Sequence, residues 1–126
     1  MTRRPLHKQV PVKVNTFVDK GIVPIIKALN DIDGISTFSS CEGIKGKERA
    51  HVYFDLGQYS PRHWQKLAKL AAKLAEVLSH DCDADISLEW SGGKDSPFIS
   101  IVFEPQYTLQ IAKILSDHRN ELVYDI

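Results

Sequence analysis

Only two cysteines, Cys41 and Cys82, occur in this sequence of 126 residues, and neither belongs to a C-x-x-C pair. A disulfide framework is therefore not expected, and both thiols read as reduced. No apolar run approaches the ~18 residues that a membrane span needs. The basic start Met-Thr-Arg-Arg-Pro-Leu-His-Lys is not followed by the apolar stretch of a secretion signal. The expectation is a cytosolic chain with no membrane partner. Low-complexity segments and linkers are missing too, so residues 1–126 read as one domain, with residues 1–9 as a mobile basic tail. Net charge is also missing: 16 Lys and Arg balance 16 Asp and Glu.

That balance hides an uneven layout. Residues 1–73 hold 13 basic against 6 acidic side chains, and residues 74–126 hold 3 against 10. Such asymmetry marks either a basic face for nucleic acid or two halves that neutralise each other on folding. Hydrophobic residues make up 43% of the chain, enough for one core without staples.

Val10, Val12 and Val14 alternate with polar residues and Pro11, which predicts a half-buried or edge strand. Asp19 is placed to cap a helix whose apolar positions are Ile22, Ile25, Ile26 and Leu29, with Pro24 in its first turn and Gly34 as its stop. Ile35–Ser40 and Ala50–Leu56 read as strands joined by a loop from Cys41 to Glu48. On the second of these, His51, Tyr53 and Asp55 share one face and Val52 and Phe54 the other. Ser60-Pro61 starts a helix to about Ser79, with Trp64, Leu67, Ala71, Leu74 and Leu78 as its buried stripe. Ala84–Ser91 and Phe98–Glu104 follow as strands. A helix from Tyr107 to about Arg119 buries Leu109, Ala112 and Leu115, and Glu121–Ile126 is assigned a short last strand.

The succession predicts an α+β two-layer sandwich: a mixed or antiparallel sheet with three helices on one face. Its first elements follow the ferredoxin-like order βαββαβ, with βα and a final strand after them.

Several motifs test for chemistry. Ser91-Gly92-Gly93-Lys94-Asp95-Ser96 has the letters of an ATP pyrophosphatase phosphate loop. Such a loop needs a helix N-terminus after it, and here Pro97-Phe98-Ile99-Ser100-Ile101 follows as a strand. The motif reads as a hairpin turn. Asp81, Asp83 and Asp85 begin like a calcium loop, but Ile86 and Gly92 stand where Gly and Glu are required. No metal set is expected.

Arg62, Lys66, Lys69 and Lys73 form one basic stripe on the second helix. It is either a docking surface for a phosphate backbone or the solvated side of an amphipathic helix. Ser39-Ser40-Cys41-Glu42-Gly43, at the carboxyl end of a strand, gathers small hydroxyls, a thiol and a carboxylate, with His51 on the next strand. It reads as a ligand-binding loop. Cys41 could act as a nucleophile with His51 as its base and His63 behind, or be an inert cysteine in a Ser-rich turn.

Asp19-Lys20-Gly21-Ile22-Val23-Pro24, a helix, and then Ser39-Ser40-Cys41-Glu42-Gly43 resemble small uncharacterised bacterial and phage proteins. More distantly, the pattern is similar to the tRNA wybutosine-synthesizing protein 3 family, which has an acidic helix start followed by an S-S-C-S-G-R segment. The resemblance covers roughly the first third of the chain. It implies S-adenosylmethionine-dependent methylation of tRNA. Here Glu42 replaces the family's Ser and Ile44 its Arg, and the lost Arg removes an anion-binding fork. What carries over is a binding loop of Ser39, Ser40, Cys41 and Gly43. Three functions are thus expected side by side: a binding domain for an unidentified small ligand, a nucleic-acid-associated or RNA-modifying protein docking through helix 61–79, and a protein-interaction or oligomerisation module. No cofactor is assigned.

Overall fold

The computed structural model of the chain describes residues 18–56, 63–78, 82–89 and 97–124. A 3-10 turn, Lys20–Ile22, leads into α1 (Val23–Asn30). Then come β1 (Ile35–Cys41), β2 (Ala50–Leu56), α2 (His63–Leu78), β3 (Asp85–Glu89) and β4 (Phe98–Phe103). A second 3-10 turn, Pro105–Tyr107, precedes α3 (Thr108–Asp117) and α4 (Arg119–Tyr124). The strands form one sheet in the order β1-β2-β4-β3, every neighbouring pair antiparallel. This is the α+β fold the sequence predicts. The ferredoxin-like succession depends on the strand expected at Val10–Val14, and that segment and the expected tail 1–9 lie outside the described residues.

One side of the sheet makes the core. Ala50, Val52 and Phe54 from β2 and Ile99, Ile101 and Phe103 from β4 are fully buried in one cluster with the helices. α1 lies against β1 and α3, while α2 lies against β3. The core contribution of each such Ile, Leu or Phe is about 1.5–3 kcal/mol.

The helical stripes differ from expectation in detail. α2 buries His63, Leu67, Leu70, Leu74 and Leu78, and Trp64 is 48% exposed. Those positions recur at intervals of three and four along one line, and Trp64 stands about 100° off it. α3 buries Thr108, Ile111, Ala112 and Leu115 and leaves Leu109 outside for the same reason. The tail is helical rather than a strand. The Leu122 amide donates to the His118 carbonyl at 3.0 Å, and the Leu122 side chain is fully buried. Arg119 also pairs with Asp31 beyond the end of α1 at 2.6 Å. Gly34 does not end α1. With φ at 91° it turns the chain into β1.

β3 and β4 pair from Glu89↔Phe98 to Asp85↔Val102. The Ser91–Ser96 segment, itself outside the described residues, therefore joins two antiparallel strands, and no helix opens behind it. Neither cysteine is in a disulfide. Among the described residues no helix is long and apolar enough to cross a membrane.

The alternation along β2 has a measurable consequence. Phe54→Ala is expected to destabilise the protein by about 3–5 kcal/mol. Tyr53→Ala, its neighbour on the other face, is expected to cost about 1–2 kcal/mol. Urea unfolding of the two variants checks the difference.

Candidate functional site

The face of the sheet away from the core carries rings. His51 and Tyr53 stack at 4.5 Å between centroids and 27° between planes. Phe98 meets Tyr53 at 5.2 Å. Phe38 meets Phe98 edge-on at 5.2 Å and Tyr53 at 6.3 Å. Phe38 is 45% exposed, and the other three rings are half-buried. Small Ser100 lies opposite Tyr53, between it and Ser87 of β3.

A bulge in β1 decides which residues join this face. Pairing runs Ile35↔Leu56, Ser36↔Asp55, Thr37↔Phe54, then jumps to Ser39↔Tyr53, Ser40↔Val52 and Cys41↔His51. Phe38 is the extra residue. Strict alternation from buried Ile35 would turn Ser39 and Cys41 to the core and Ser40 outward. The bulge reverses them, so Ser39 and Cys41 stand with Tyr53 and His51, and Ser40 stands opposite buried Val52. Three of the expected site residues, Ser39, Cys41 and His51, are thus brought together on the ring face. Cys41 is the last residue of β1 rather than the first of a loop.

Glu42 and Gly43 do a different job. The Glu42 amide donates to Asp19 Oδ2 at 2.9 Å, and the Gly21 amide donates to Glu42 Oε1 at 2.7 Å. This reciprocal pair ties the start of the first helical turn to the end of β1. Asp19, expected as a helix cap, makes no capping bond. A Cβ on Gly21 would stand 2.5 Å from Glu42 Oε1, which leaves room only for glycine while the carboxylate is seated. Gly43 has φ at 74°, and a Cβ there would stand 2.7 Å from the Glu48 carbonyl and the Ala50 amide.

Beyond Gly43 the hairpin closes on itself. Ile44 donates to the Glu48 carbonyl, and Lys47 and Glu48 both donate to the Ile44 carbonyl, all at 2.8 Å. Gly46 has φ at 79°. Lys45 and Lys47 flank it at the tip, both exposed, and neither forms an ion pair among the described residues.

Arg49 is committed elsewhere. Its Nη1 donates to Asp85 Oδ2 at 2.7 Å, its Nη2 to the Asp83 and Val102 carbonyls, and its Nε lies 3.5 Å from Glu104. The hydrogen bond to Asp85, with the field of Asp85, Glu104 and Asp83, raises its pKa further and holds the guanidinium charged. The Asp83 and Asp85 of the acidic run therefore clamp an arginine. Among the described residues no His, Cys, Asp and Glu cluster has the makings of a metal site.

Cys41 and His51 sit directly across the strand pair, but no hydrogen bond joins them among the described residues. His63 is at the other end of β2, buried on α2 with its Nε2 3.0 Å from Asp55 Oδ1. The basic stripe is a separate surface. Lys66, Lys69 and Lys73 are on α2, which lies against β3, at the opposite edge of the sheet from β1. Lys73 pairs with Glu76 at 3.6 Å, and Arg62 falls outside the described residues.

Phe38 and Phe98 carried no functional signal in the sequence. Tyr53 was recognisable as outward-facing from the alternation of β2, but its ring neighbours come from strands whose pairing no local pattern announces. Comparison with protein-family models, curated proteins and solved structures finds no match for the chain.

The two glycines of the hairpin separate packing from backbone strain. Gly46→Ala, with open space around it, is expected to cost about 1–2 kcal/mol for its left-handed backbone alone. Gly43→Ala is expected to cost clearly more, because the added methyl meets backbone on two sides. Thermal melts of both variants check the order.

Proposed function

We propose that the chain binds single-stranded nucleic acid across the open sheet face, with bases stacked on Phe38, Tyr53, His51 and Phe98. The observation that carries this reading is the ring cluster itself, set on an antiparallel sheet whose helices, among the described residues, pack on the other side. A half-exposed aromatic surface is costly to leave in water and is well suited to the faces of bases.

The residues around the rings support a polar, planar ligand over an aliphatic one. Ser36 and Ser39 are hydroxyl groups at cross-strand positions beside the rings, and Cys41 and His51 close one end. Hydroxyls and imidazole can exchange hydrogen bonds with base edges. The ligand-binding reading of the sequence, at Ser39, Cys41 and His51, falls on this same surface. A docking surface on α2 is the weaker reading. Its lysines stand on a side of the helix away from the exposed Trp64, and Lys73 is already paired.

The test is anisotropy of a labelled single-stranded oligonucleotide. Stacking on an aromatic side chain contributes about 1–3 kcal/mol per base. Phe38→Ala is expected to weaken binding about tenfold or more, with the melting temperature little changed. Equal affinity in the variant and the parent protein would sink the reading.

A further inference from the structure

We propose that the closed tip of the β1–β2 hairpin, Ile44–Glu48, is a phosphate-contacting element that holds the backbone of the strand whose bases lie on the ring face. This rests on the base-stacking reading above and adds where the charged part of the ligand goes.

Charge complementarity is the first argument. A single strand that stacks its bases must also settle its phosphates, and their contacts with Lys and Arg supply much of the affinity. Arg49, two residues before His51, is spent on Asp85, Glu104 and two carbonyls. Lys45 and Lys47 are exposed and make no ion pair among the described residues.

Position is the second. The tip grows out of the end of the sheet where Cys41 faces His51, and His51 begins the row of rings that continues through Tyr53 to Phe98. The opposite edge is β3. Its Asp85, in the same cross-strand row as Cys41, His51 and Val102, is taken up by Arg49, while Glu89 stands exposed beside Phe98 at the far end of the face. Glu89 repels phosphate, so the field along the face favours a backbone held at the hairpin end.

Rigidity is the third. Three backbone hydrogen bonds close the tip on itself. Its base is fixed by the Asp19–Glu42–Gly21 pair and by the close approach of Gly43 to the Glu48 carbonyl and the Ala50 amide. The backbone carrying the two lysines is thus ordered before any ligand arrives, which lowers the entropic cost of the contact.

The experiment measures oligouridylate binding against salt concentration for the full chain and for Lys45→Ala/Lys47→Ala. Each phosphate contact in a single strand adds about 0.7 to the slope of log affinity against log salt. The double variant is expected to lose about 1.4 from that slope. The shifts that free uridine induces in the Tyr53 and Phe98 ring protons should stay as in the parent protein. An unchanged slope with oligonucleotide still bound overturns the assignment of the tip and leaves base stacking intact. Loss of the slope on Lys66→Ala/Lys69→Ala instead moves the phosphates to α2 and also overturns it. If the parent protein binds neither uridine nor oligouridylate, the stacking reading fails and the tip assignment falls with it.

Discussion

In β2, Ala50, Val52 and Phe54 are fully buried, while His51 and Tyr53 between them are half-exposed. This strand is central, paired to β1 on one side and β4 on the other, so its alternation sets the two faces for its neighbours. The described helices cover the side that carries these buried residues, where the apolar surface is. The other side is left with rings, hydroxyls and charges. Placement of the ring cluster, the outward position of Cys41 and the direction of the hairpin tip all depend on this division.

Two local devices adjust it. The bulge at Phe38 adds a residue to β1, brings a fourth ring to the cluster and reverses the facing of the three residues after it. The Asp19–Glu42–Gly21 pair anchors the end of the same strand to the first helical turn. Both act on the Ser39–Gly43 segment. One sorts its side chains between the faces, and the other fixes its last carboxylate as a structural group.

Much of the fold could be read along the chain. The alternation of β2, the Pro24 helix start and the β-branched run at Phe98–Val102 each state a local preference that the tertiary structure keeps. Where reading failed, the missing information was non-local. Trp64 and Leu109 look apolar enough for the core, but the helices rotate to bury leucines and isoleucines that fit the sheet. The tail composition allows strand or helix, and burial of Leu122 decides for helix. For the site, the Ser39–Gly43 segment was visible as unusual. Its division of labour was not, because a bulge is a property of strand pairing. Asp19 has the right residue type for a helix cap, and only the return of β1 past it offers the Glu42 amide as a better partner.

The central claim is that bases contact the rings of the open face. Intermolecular nuclear Overhauser effects, in a complex of the protein with a short single-stranded oligonucleotide, report that contact directly. The account predicts cross-peaks between base protons and the ring protons of Phe38, Tyr53 and Phe98. Cross-peaks confined to the lysine side chains of α2, with none to those rings, would contradict it.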